Sequence, residues 1–246
     1  MSKNYLIIGA SSGIGEACAR RLAADDVKLI IVARRKELLE KLADELPGEV
    51  VPVAYDLHDL DHIKDLFEPC TSGGFKLDGM VFTAGIDGTW PVKVNDIHKM
   101  REMMDINCMS FVEAAKVFYT KKYSVDGGSI VAISSIASVQ SEKGMLSYTV
   151  SKAALNASVK VMANEFARRG IRVNAILPGG VSTPMAEAKG AMMEGVAGEN
   201  ADSSDPVQPL GMIPSENIAD QVAHLLSDAS RYTTGSLISI SGGRGL

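Results

Sequence analysis

Aromatic side chains are scarce, making up 5% of the 246 residues with a single Trp, and cysteine occurs three times. Cys18, Cys70 and Cys108 are odd in number, widely spaced and set in apolar or helical surroundings. That excludes a disulfide framework and a paired metal-binding spacing, so reduced structural thiols are expected. No apolar run approaches the roughly 20 residues that cross a bilayer. Basic charge is not in excess either: 25 Lys and Arg face 30 Asp and Glu, a net charge of -5, with both signs mixed along the chain. Without a basic stripe or a juxtamembrane cluster, neither nucleic acid nor a membrane is expected as a partner. No repeat, low-complexity tract or linker divides the chain. The opening run YLIIG enters a glycine turn directly, with no small-residue cleavage site, and the expectation is a cytoplasmic protein.

Hydrophobic residues, at 46%, suffice to bury the core of one domain over residues 1–246. Short β-branched runs alternate with helical patterns. YLIIG precedes a helix to Ala24, KLIIVA one over 37–46, VVPVAY one around 63–68, DGMVFTAG a long one over 97–121, and GSIVAIS one over 147–169; IRVNAIL, a helix over 216–227 and SLISIS complete the series. Seven nearly continuous apolar strands imply an α/β fold with helices on both faces of a parallel sheet. Residues 183–212 lack a period and are expected to form a mobile substrate loop. Val150, Ala153, Ala154, Leu155, Ala157, Val161, Met162 and Phe166 cover more than one helical face. Either a wide contact inside one subunit or a helix-to-helix contact between subunits would bury them, so a homo-oligomer, dimer or tetramer, is expected.

Gly9-Ala10-Ser11-Ser12-Gly13-Ile14-Gly15 follows the first strand and opens the first helix, where backbone N–H groups and the helix dipole favour an anion such as a dinucleotide pyrophosphate. The glycines permit a sharp turn and close cofactor approach. This spacing resembles the TGxxxGxG turn of short-chain dehydrogenases/reductases, whose fold is a single-domain, Rossmann-type, doubly wound parallel sheet. Where NAD-selective folds place an acidic residue at the end of the second strand, this chain has Arg34 instead, in Ala33-Arg34-Arg35. A guanidinium there suits a 2'-phosphate, with Ser11 adding a hydroxyl, so NADP(H) is expected over NAD(H). One of the two arginines reads equally as a solvated start of the next helix. By the resemblance, Asp56 and Leu57 contact the adenine, although Asp56 also reads as a helix cap. Ala84 and Gly85 let the backbone approach the cofactor, and Thr83 stands where many relatives carry Asn.

Tyr148 and Lys152, four residues apart on a helix, share a face. A free Tyr titrates near 10, and a nearby ammonium lowers it towards a useful acid–base range. Tyr148-Thr-Val-Ser-Lys152 resembles the family's YxxSK segment, with Ser135 thirteen positions ahead of Tyr148. Ser135 would then orient the substrate oxygen; the adjacent Ser134 points the other way along a strand. Asn107 matches the family Asn that holds a water beside the lysine, and otherwise reads as a polar kink. Pro178, Gly179, Val181 and Thr183 resemble the segment that holds the nicotinamide carboxamide.

The resemblance spans the whole chain and implies hydride transfer between a nicotinamide cofactor and a carbonyl or secondary alcohol. His58 and His62 lack a zincin's central Glu and read as a solvated face, and no metal is called for. The nearest general likeness is to 3-oxoacyl-[acyl-carrier-protein] reductases, which makes a 3-oxoacyl thioester one substrate class and acyl carrier protein a candidate partner met by Arg168 and Arg169. Asp126 argues against that partner. A free small ketone, sugar or hydroxysteroid is the alternative, and a non-catalytic nucleotide-binding scaffold or sensor a third reading. Residues 86–93, 138–146 and the stretch after Thr183 set the substrate.

Overall fold

The computed structural model describes residues 3–140, 142–184, 186 and 208–244. Seven strands form one sheet in the order β3-β2-β1-β4-β5-β6-β7: β1 Lys3–Ile8, β2 Val27–Ala33, β3 Glu49–Ala54, β4 Leu77–Phe82, β5 Ser124–Ile133, β6 Arg172–Pro178 and β7 Leu237–Ile240. Every pairing is parallel. All seven expected strands are present, and β5 starts earlier than its apolar run suggests because Ser124 pairs with Leu77 ahead of a register shift.

Side-chain alternation splits each strand between two cores. Leu6 and Ile8, Ile30 and Val32, Met80 and Phe82, Ile130 and Ala132 join one; Ile7, Leu29, Ile31, Val81, Val131 and Ile133 join the other. Near-continuous apolar strands are therefore needed, each buried Leu, Ile or Phe adding about 1.5–3 kcal/mol. The first core is covered by α5 (Ser110–Phe118) and α6 (Leu146–Phe166), the second by α1 (Gly13–Leu22), α2 (Lys36–Glu45) and α7 (Ser215–Leu226).

Two expected helices differ. The segment over 63–68 is a 3-10 turn, Ile63–Phe67, followed by the short α3 (Glu68–Ser72), because Pro69 suits a helix's first turn but not its interior. The long helix over 97–121 is α4 (Ile97–Met104) and α5 separated by a π-helical turn, Asp105–Met109, whose wider ring closes with Ser110 N–H donating to the Asp105 carbonyl. Asn107 sits in that turn. Of the expected substrate loop, residues 185 and 187–207 lie outside the described residues, whereas residues 208–212 are tied to the sheet end by Leu210 N–H to Gly242 O at 2.9 Å. Burial pushes the Cys18 and Cys70 thiols up to about 12, and all three cysteines are buried and free. No helix among the described residues is long and apolar enough to cross a membrane.

Candidate active site

The strand order reverses between β1 and β4, so the carboxyl ends of the strands open into a crevice. The glycine turn lies there. Gly9 (φ +98°) and Gly13 (φ +57°) occupy the left-handed half of the backbone map, and a Cβ on Gly15 would stand 2.1 Å from the Gly9 carbonyl oxygen. Thr83 replaces Asn without loosening this corner: its hydroxyl donates to the carbonyls of Ile8 (3.0 Å) and Gly9 (3.1 Å), lacing β4 to the turn. Ser12 precedes α1 with no side-chain cap bond, which leaves the helix's positive end to an anion.

Past β5, Ser134 and Ser135 point apart. Ser134 is buried, with its hydroxyl turned towards the Lys152 carbonyl at 3.4 Å. Ser135, in extended conformation, accepts from Ala137 N–H at 3.2 Å and is hydrogen-bonded to the Tyr148 phenol. Burial raises that phenol to about 12; the Ser135 bond opposes the rise, and the carboxylates of Asp87 and Glu142 add to it. One turn on, Lys152 Nζ is 5.9 Å from the Tyr148 ring centroid and donates to Ile133 O at 2.9 Å. Desolvation pulls this ammonium down to about 8, against the Cys108 and Asp87 charges.

Asn107 is wholly buried, and both polar atoms of its side-chain amide are used. Its Oδ1 accepts from Ile86 N–H at 2.8 Å, while Nδ2 donates to Ile86 O at 2.8 Å and Ser151 Oγ at 2.9 Å. Gly85 faces the same point: a Cβ there would lie 3.2 Å from both Asn107 Oδ1 and Lys152 Nζ. The π-helical turn is thus what aims Asn107 at the end of β4. An acid, a hydroxyl and an ammonium grouped in this way can polarise and protonate a carbonyl oxygen, or run the reverse.

A family model described as enoyl-(acyl carrier protein) reductase matches residues 9–244. The chain belongs to the short-chain dehydrogenase/reductase family. It is 32% identical over 244 residues to the 3-oxoacyl-[acyl-carrier-protein] reductase FabG of Thermotoga maritima, covering 98% of this chain and 97% of that one. A short-chain dehydrogenase/reductase structure from Mycobacterium ulcerans superposes with a TM-score of 0.88 at 29% identity, covering 99% and 90% of the two chains. An actinorhodin polyketide ketoreductase solved with NADPH gives a TM-score of 0.88 at 25% identity, covering 98% and 97%.

Within this short-chain dehydrogenase/reductase the residue reaching the glycine turn from β2 is Arg35, whose Nη2 donates to Ser11 Oγ (2.9 Å) and Ser12 Oγ (3.1 Å). Arg34 instead acts electrostatically on Asp56. Asp56 caps its own turn, accepting from His58 N–H at 3.1 Å and meeting His58 Nδ1 at 2.7 Å, while Leu57 is buried. His58 also faces Glu102, and His62 pairs with Asp59. After β6, Gly179 N–H donates to Ile240 O at 2.9 Å, Val181 forms a β-bridge with Ile213, and Thr183 packs its methyl against Gly13. Ile14 lies in the first turn of α1, and Pro178 ends β6.

One expectation is corrected. Arg169 is not free to meet a carrier protein: its side chain is 9% exposed, its Nε donates to Asp126 at 2.7 Å, and its other nitrogens reach the carbonyls of Tyr119 and Ser124. Arg168 and Arg169 follow the end of the 21-residue α6, about 30 Å along the helix from its Tyr148 turn. Asp126 serves as that arginine's counter-ion rather than as an acidic feature of the active-site mouth. Sequence reasoning quoted Ser151 within the YxxSK-like segment but gave it no role, and it joins Asn107 to the Tyr148 carbonyl; it missed Gln208, which lies in a stretch with no period to reveal it.

Proposed function

We propose that the chain is an NADP(H)-dependent reductase that interconverts a carbonyl group and a secondary alcohol on a small molecule. The observation that carries this is the grouping of Tyr148 with Ser135 and Lys152 at the mouth of the crevice. The cofactor suits the residues present. Gly9, Gly13 and Gly15 leave a cradle that a Cβ would fill, and Arg35 with Ser11 and Ser12 makes a cationic, hydroxyl-rich corner for a 2'-phosphate. Asp56 and Leu57 would flank the adenine, Ala84 and Gly85 the adjoining ribose side, and Pro178, Gly179, Val181 and Thr183 the carboxamide. When bound, NADP(H) supplies or accepts the hydride.

In the reducing direction Ser135 donates to the substrate oxygen and holds it beside Tyr148, which delivers the phenolic proton. Burial, Asp87 and Glu142 keep the phenol protonated at neutral pH, which favours its role as an acid. Lys152 lowers the cost of the phenolate that remains, and Asn107 with a water returns a proton from solvent. We read the partner set as a small carbonyl or alcohol substrate and further copies of this chain, in the cytoplasm; the exposed Val161 of α6 and Met109 support a homodimer or homotetramer.

The name of the Thermotoga maritima relative supports a 3-oxoacyl thioester as substrate class. A free ketone, sugar or hydroxysteroid is favoured instead by the carboxylates of Asp87 and Glu142 around Tyr148 and by the internal use of Arg169, which leave the site poorly suited to an acidic carrier protein. The test is a titration with NADPH and NADH followed by NADPH oxidation with acetoacetyl thioesters, steroid ketones, sugars and diketones. Turnover that disappears in Tyr148→Phe while NADPH still binds is the expected result. Tight NADPH binding with no turnover anywhere on the panel overturns it in favour of a nucleotide-binding scaffold, and tighter NADH binding overturns the cofactor assignment.

A further inference from the structure

Gln208 occupies a slot made by three glycines from two segments distant in sequence. A Cβ on Gly179 would lie 2.6 Å from its Oε1, one on Gly180 3.3 Å from the same atom, and one on Gly242 2.7 Å from its Cγ. Within the slot the side-chain amide behaves like a strand edge. Its Oε1 accepts from Gly180 N–H at 2.7 Å, its Nε2 donates back to Gly180 O at 3.1 Å, and the same Nε2 donates to Gly211 O. Ile213 N–H completes the Gly180 carbonyl at 2.9 Å. Both backbone polar groups of Gly180 are thereby satisfied, one of them wholly by this side chain.

The next residues are those assigned to the nicotinamide. Val181 bridges Ile213, Ser182 N–H donates to Ile213 O at 2.9 Å, and Thr183 abuts Gly13. On the far side, Gly242 O receives Leu210 N–H at 2.9 Å, so Gln208 stands between the ends of β6 and β7. A side-chain amide that pairs with both the N–H and the C=O of one residue bridges the two peptide units on either side of its Cα, and so holds the φ and ψ of Gly180, the residue with the most backbone freedom to lose.

We infer that Gln208 is a positioning residue for the cofactor: through Gly180 it sets the height of residues 181–183 over the nicotinamide end of the crevice. This rests on the reading of the chain as an NADP(H)-binding reductase. It touches neither the reacting atoms nor the phosphate turn, so its removal separates the two ends of the dinucleotide.

The experiment compares the affinities of NADP+ and of 2',5'-ADP, which lacks the nicotinamide half, for wild type, Gln208→Met and Gln208→Glu. Met keeps the volume and removes the amide; the loss of its bonds to Gly180 weakens NADP+ about tenfold and leaves 2',5'-ADP unchanged. Glu keeps the acceptor for Gly180 N–H but sets a charge against the Gly180 and Gly211 carbonyls. Protonation restores a donor, so its NADP+ affinity relative to wild type recovers as pH falls from about 8 to about 6, while Gln208→Met shows no such recovery. Equal weakening of both ligands in Gln208→Met assigns Gln208 to general stability and overturns the proposal, as does unchanged NADP+ binding. If wild type binds 2',5'-ADP and NADP+ not at all, it is the reductase reading that fails.

Discussion

Arg35 Nη2 donates to Ser11 Oγ at 2.9 Å, joining the start of α2 to the glycine turn across the crevice. Arg34, the residue just after β2, acts instead on Asp56. Arg35→Ala should therefore weaken NADPH binding about 10- to 100-fold and leave NADH binding nearly unchanged, because only NADPH presents a 2'-phosphate to the guanidinium. Arg34→Ala should cost less. Fluorescence titration of both variants with both nucleotides checks this, and a larger loss in Arg34→Ala would reverse the assignment.

Lys152 gives the cofactor-free protein a pH signature. Its ammonium titrates near 8 when folded against a reference of 10.5, because burial disfavours the charge. Between those values the unfolded chain binds more protons than the folded one, so stability rises with pH through the window from about 8 to about 10.5. Below it, both states are protonated and the full desolvation cost, of order 3 kcal/mol, is present. Lys152→Met lacks this increment. Chemical denaturation of the two proteins at a series of pH values should show wild type gaining on the variant across the window; a constant difference would mean that the ammonium is solvated.

Gly15→Ala tests the turn itself. The added Cβ would stand 2.1 Å from the Gly9 carbonyl oxygen and 2.6 Å from Thr83 Oγ1, and the Gly9 backbone cannot yield as a flexible side chain would. A loss of at least about 3 kcal/mol, together with loss of NADPH binding, is expected by calorimetry and titration. Ala in place of Gly74, whose Cβ would meet nothing within 4 Å but whose φ of +66° costs an L residue about 1–2 kcal/mol, serves as the control for backbone strain without a clash and outside the site.

Arg169→Met removes the Asp126 ion pair and orphans the carbonyls of Tyr119 and Ser124. The orphaned carbonyls cost about 2 kcal/mol, the exposed Asp126 adding little, which for a chain of this size is roughly 4–8 °C in Tm. Turnover per folded molecule should be unaffected on free and on carrier-linked substrates alike. A selective loss on a carrier-linked substrate would restore Arg169 as a docking residue.

Much of this molecule is legible without coordinates. Apolar runs such as YLIIG and KLIIVA mark strands buried on both faces, and the intervening helical periods oblige the strands to run parallel. Tyr148 and Lys152 come together through helical spacing alone, and strand alternation separates Ser134 from Ser135. The break in the helix over 97–121 was not legible as a π-helical turn, since an extra residue in a helical ring leaves no mark in a hydrophobic period; only the buried Asn107 hinted at it.

What the sequence determined by itself was chemistry confined to one element: the glycines of the turn, the Tyr–Lys pair, the basic end of β2. Tertiary structure decided what depends on direction and on distant neighbours. It set Arg35 rather than Arg34 against Ser11, spent Arg169 on the carbonyls of Tyr119 and Ser124, set Asn107 on Ile86, and brought Gln208 to Gly180 across a stretch with no pattern. The physical reason is that spacing along a strand or helix specifies which side chains share a face, whereas the partner that satisfies a buried peptide group is found only when separate segments pack and every donor and acceptor left between them must be matched.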